Sequence, residues 1–134
     1  MGAWGVLAFD NDTANDWASE LEASDDLSIV ESAFRELDEA DYLDADVASI
    51  ALAACEVIAR LQGRWGLRNA YSEELDQWIE ANPTKVPQDV KDAADSAIER
   101  ILGPDSELPE LRDEGGRNDA WHNAIDDLRN RVRG

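Results

Sequence analysis

Apolar residues return every three or four positions along nearly the whole chain, and this spacing places one apolar stripe on each of a succession of helices. No useful stretch alternates with period two apart from a short candidate at Ala3–Phe9. The pattern predicts an all-α fold, an irregular bundle of about five to six helices with a short extended N-terminal segment. A first helix is expected over Asp12–Ala23, capped by Asn11 or Asp12, with Ala14, Trp17, Ala18 and Leu21 inward. A second starts at Ser28, whose spacing to Glu31 suits a capping box, and ends near Ala40. The third, Asp44–Gln62, is the most apolar, and Gly63 can close it in the left-handed conformation.

The segment 63–71, GRWGLRNAY, breaks the period with two glycines and reads as a loop. Ser72 then caps a short helix to Ala81, which Asn82-Pro83 stops, and Pro87 opens another that closes at Gly103-Pro104. Residues 104–117 hold two prolines and Gly115-Gly116, leaving room for one helical turn at Pro109–Asp113. Asn118 caps a last helix built on Trp121, Ala124, Ile125, Leu128 and Val132. No linker is long enough to separate two units, so residues 1–134 are read as one domain, with the third and last helices at its centre.

Charge narrows the function classes. Residues 1–56 hold 9 Asp and 6 Glu against the single base Arg35, a net of −14 out of −19 for the whole chain. Such a half repels polyanions, so direct nucleic-acid binding and anionic membrane surfaces are poor readings. A basic protein partner is the attractive one, because complementary fields speed encounter and set orientation. The rival is an acidic surface that serves only solubility. Nothing reaches the roughly 20 apolar residues of a membrane span, and residues 1–9 lack the basic and long apolar regions of a signal peptide, which points to the cytoplasm. The oligomeric state is not written in the sequence.

Candidate chemistry is sparse. His122 is the one histidine, and Asp119 and Asp126 share its helix face. It is the residue on which an enzyme using nearby carboxylates would depend, although no nucleophile motif accompanies it. Asp10, Asp12 and Asp16 with two asparagines form an oxygen-rich cluster, but a calcium loop counted from Asp10 lacks its glycine and its final glutamate. No metal, cofactor or catalytic residue is assigned, and a helical module for a divalent metal or small ligand stays the alternative to partner binding. Cys55, the only cysteine, sits on the most apolar helix as a buried thiol and allows no internal disulfide. Trp17, Trp78 and Trp121 lie on apolar stripes. Trp4 and Trp65 are flanked by glycines, so each is a plug over the bundle or an anchor for a partner. The stripe Asp12, Asp16 and Glu20, with Trp4 and Trp65, is therefore the candidate interaction set.

The opening Met1-Gly2-Ala3-Trp4-Gly5, then Phe9-Asp10-Asn11-Asp12, then Ala14 and Asp16-Trp17, resembles the bacterial domain-of-unknown-function family DUF4259. The resemblance covers essentially the whole chain, with one departure: Val6-Leu7-Ala8 stands where the family commonly has small residues. It implies a helical domain and brings no established activity, cofactor or catalytic residue. Independently of it, glycines at 2 and 5 let the chain bend on both sides of Trp4, so that Trp4 and Phe9 can fold the N-terminus onto the bundle.

Overall fold

The computed structural model describes residues 8–66, 68, 70 and 72–134. Trp4, the extended stretch proposed at its flanks and the bend around it lie outside the described residues. Seven helices follow one another: α1 Asp12–Glu22, α2 Ser28–Glu39, α3 Ala45–Leu61, α4 Glu73–Ala81, α5 Gln88–Leu102, α6 Glu107–Arg112 and α7 Asp119–Arg133. Among the described residues there is no strand, only one parallel bridge between Leu43 and Ser106. None of these helices is long and apolar enough to cross a membrane.

α3 is the axis of the bundle, with α1, α2, α5 and α7 all packed on it. Its sequence explains why. Residues 51–60 are buried without interruption, and Ala48, Ala51, Ala53, Ala54 and Ala59 let neighbouring backbones approach closely on several sides. One such approach seals the thiol of Cys55, which is 0% exposed and donates to the Ala94 carbonyl of α5 at 3.5 Å. Burial pushes this thiol well above its ordinary pKa, with the Glu56 and Asp95 charges adding to the effect, so no nucleophilic thiolate forms there. The stripes expected on α1, α2, α5 and α7 all face one shared core, and Trp17, Trp78 and Trp121 are buried within it. The indole N–H of Trp78 donates to the Ser24 carbonyl at 2.8 Å, which ties α4 to the α1–α2 connection.

Three expectations need correction. The helices number seven rather than five to six, because residues 107–112 form a full short helix that starts before Pro109. Pro109 is third in that helix, where the missing N–H would have had no partner within the helix anyway. The capping box at Ser28 and Glu31 does not form. Leu27 takes the cap position, and the Asp26 carboxylate accepts from both the backbone N–H and the hydroxyl of Ser28, at 3.0 and 2.7 Å. Ser72 stands at the cap of α4 but donates its hydroxyl to Asp76 at 2.9 Å instead of capping. α5 closes at Gly103-Pro104 as expected, with Gly103 extended and Asp105 at a positive φ of 57°.

The remaining ends behave as their residues dictate. Asn11, Asp44 and Asn118 cap α1, α3 and α7 by accepting from Ala14, Val47 and Trp121 N–H groups at 2.8, 2.9 and 3.0 Å. Gly63 follows α3 with φ +81°. α6 reaches back to the start of α3, where the Glu107 carboxylate accepts from the Ala45 N–H at 2.7 Å.

Candidate functional site

Two electrostatic features dominate the molecule, and they lie in different parts of the fold. The first is a buried ion network. Glu56 and Arg60 are one helical turn apart on α3, and the Arg60 Nε donates to Glu56 Oε1 at 3.0 Å. The same guanidinium grips Asp76 of α4, whose other oxygen accepts from Ser72 at 2.9 Å. Arg131 of α7 forks onto both oxygens of Glu56, at 2.7 and 3.0 Å, and reaches the Arg64 carbonyl at 3.3 Å. Glu56, Arg60 and Asp76 are each no more than 5% exposed. Two carboxylates and two guanidiniums thus balance inside a low-dielectric interior.

Residues 64–66 run beside the network. Gly66 lies directly against it: a Cβ there would stand 2.6 Å from Glu56 Oε1 and 3.0 Å from Arg131 Nη1. Gly66→Ala is therefore expected to cost about 1–3 kcal/mol, read by urea denaturation, because the displaced groups are buried and already engaged. An unchanged midpoint would mean that the loop moves aside freely. Trp65 is half-buried beneath two cations, with the Arg68 guanidinium 4.1 Å and the Arg60 guanidinium 5.7 Å from its ring. Arg60 also lies 5.8 Å from the Phe9 ring. Trp65 thus lies against the ion network with part of its surface accessible.

The second feature is the acidic face. Asp12, Asp16 and Glu20 are all exposed along α1, one turn apart, as their spacing requires. Exposed Glu31, Glu36, Asp38 and Glu39 follow on α2, and Asp44 and Asp46 stand at the start of α3, where the Thr13 hydroxyl donates to Asp46 at 3.3 Å. Arginines elsewhere find acids of the second half: Arg129 and Arg133 clasp Asp95, Arg131 takes Asp127, and Arg117 takes Asp119. Among the described residues, no ion pair joins any carboxylate of α1 or α2 to a base.

Two carboxyls report these environments in opposite directions. Hydrogen bonds from Arg129 and Arg133 hold Asp95 at a pKa of about 2, below its ordinary 3.8. Asp95 thus contributes stability that is complete above about pH 4 and is lost as pH falls toward 2. Asp95→Ala is expected to cost about 1 kcal/mol at neutral pH and nothing near pH 2, by denaturant titration at both. Glu22 is raised, by partial burial first and then by the charge of Glu74 and a hydrogen bond with it. Its protonated form is favoured in the fold, so the benefit exists at low pH and disappears as pH rises through the folded value. Glu22→Gln is accordingly expected to raise Tm by about 1–2 °C at neutral pH and to give no gain near pH 4.

His122 does not meet Asp119 or Asp126 as its helix spacing suggested. Its Nε2 lies 2.9 Å from Asp113 Oδ2, a residue of the connection after α6. Beside it, Leu52, Leu108, Trp121, Ile125, Glu56 and Arg131 line a cleft between α3, α6 and α7 with about 30 Å³ of free space, room for a water or two. Among the described residues, no three acidic, histidine or cysteine side chains converge as a metal would need.

Sequence reasoning missed the ion network. Its signal was a complementary Glu56–Arg60 pair at i,i+4 inside the most apolar helix, where charges have no reason to stand unless they are paired. No curated protein and no solved structure matches the chain significantly. A domain of unknown function, DUF4259, does match, over residues 2–124, and the chain belongs to that family.

Proposed function

We propose that this is a non-enzymatic interaction protein of the cytoplasm whose α1–α2 face docks a basic protein surface, in the manner of small inhibitor, immunity or nucleic-acid-mimic proteins. The observation that supports it is the partition of ion pairs. Arg117, Arg129, Arg131 and Arg133 pair with acids of the second half or with the buried Glu56, while among the described residues no ion pair reaches a carboxylate of α1 or α2. A surface of one sign steers an oppositely charged partner and orients it on approach. The same charge disfavours nucleic acid and anionic membranes as direct ligands.

The test is a pull-down with the tagged protein at low and high salt, followed by titration of any recovered basic protein. Reversing Asp12, Asp16 and Glu20 to lysine is expected to weaken the complex by at least about tenfold and to flatten its salt dependence. Undiminished affinity in that triple variant would remove this face from the binding site.

A further inference from the structure

The two walls of the cleft run on into a titratable contact. α6 contributes Leu108 and Arg112 to one wall, and α7 contributes Trp121 to the other. The residues immediately after Arg112 and Trp121 are Asp113 and His122, and His122 Nε2 stands 2.9 and 3.1 Å from the two oxygens of Asp113.

The two ends of α6 are anchored differently. At its start, Leu43 N–H donates to the Asp105 carbonyl and Glu107 N–H to the Leu43 carbonyl, each at 2.8 Å, and Glu107 caps α3 at 2.7 Å. None of these bonds involves a histidine. At its finish the chain turns through Gly115 and Gly116, with φ +85° and +136°, conformations that glycine alone adopts cheaply. Asp113 holds that turn from both sides, accepting from the Asn118 N–H at 2.8 Å and meeting His122 across it.

We propose that α6 is a strap over the cleft whose C-terminal end is latched by the His122–Asp113 pair, tight when the imidazole carries a proton and looser when it does not. Histidine is the side chain whose charge ordinarily changes between about pH 5 and pH 8, and this sequence has one. The Asn118 N–H and then the His122 contact keep the Asp113 carboxyl below its usual range, which favours its anionic form as the acceptor of the latch.

The other charges around the latch set how far it can loosen. Arg117 acts on Asp113 from the connection and itself pairs with Asp119 at 2.9 Å. Asp119 and Asp126 lie three residues before and four after His122 on α7, and Arg112 sits beside the latch under the influence of Asp10. When the ring is neutral, Nε2 can still donate, Asn118 still binds Asp113, and Arg117 still attracts it. The change is therefore the difference between a charge-assisted and a neutral hydrogen bond, confined to the strap's end.

Hydrogen exchange on the full chain at about pH 5.5 and about pH 8, corrected for intrinsic rates, tests this. Protection of amides in residues 111–118 is expected to fall about three- to tenfold at the higher pH, with α3 and α5 unchanged. His122→Gln should show no such fall. Asp113→Asn, which keeps the shape and removes the charge, should also be flat. Equal wild-type protection at the two pH values would overturn the latch, as would the same fall in either variant.

Discussion

Arg60→Ala is expected to destabilise the protein by about 3–5 kcal/mol. The guanidinium joins Glu56 and Asp76, two carboxylates that are 5% and 4% exposed, and its loss leaves their charge in a nearly dry interior. The result should fall toward the lower end of that range, because Glu56 retains Arg131 and Asp76 retains Ser72 and a 3.5 Å contact with Arg68. A domain of this size has roughly 5–15 kcal/mol in total, so much of the margin disappears. Urea denaturation measures the loss. Adding Asp76→Asn to Arg60→Ala should recover part of it by removing the charge left without its principal partner. Arg60→Lys should fall between, since an ammonium carries its three donors on one nitrogen and lacks the spread of Nε and Nη1 that reaches Glu56 and Asp76 here. A loss below about 1 kcal/mol would show that water reaches the network and solvates both acids.

Trp121→Ala is expected to cost a similar amount, about 3–5 kcal/mol, by a different mechanism. The ring is 1% exposed and lines the cleft between α3, α6 and α7, so its removal joins a new void to existing free space. The walls around it, including Leu52, Leu108 and Ile125, come from three separate helices that cannot all collapse inward together. The cost should appear as a lower denaturation midpoint with an unchanged slope, the mark of a destabilised but still compact native state. A loss under about 1 kcal/mol would mean that α6 closes over the gap, which would also show how loosely that strap is held.

The helices were legible because their signals are local. Trp17, Ala18 and Leu21 on α1, or Val57, Ile58 and Leu61 on α3, reveal a buried face through spacing alone, and Asn11 and Asn118 mark starts because their side chains reach a nearby N–H. What escaped was decided by alternatives of comparable energy or by distant residues. At Ser28, Asp26 was a closer and stronger acceptor than Glu31. At Ser72, Asp76 took the hydroxyl that the helix end might otherwise have used. His122 had two carboxylates at helical spacing, yet a tight turn through Gly115 and Gly116 delivered Asp113 instead. The α1 stripe Asp12, Asp16 and Glu20 was readable from its period, whereas the pairing of the α7 arginines with Asp95 and Glu56 was not, because those partners are distant in sequence. The contacts of Arg60 and Arg68 with the Trp65 ring were likewise invisible in the sequence, since Arg60 and Arg68 belong to different segments.

The thiol sealed between α3 and α5 also serves as a clock. Because Cys55 is fully buried against the Ala94 carbonyl and is the molecule's only sulfhydryl, a thiol reagent can modify it only when those two helices part. The labelling rate in native buffer therefore times the opening of the bundle's axis, separately from fraying at its ends, and lets slow core excursions be followed without introducing a probe.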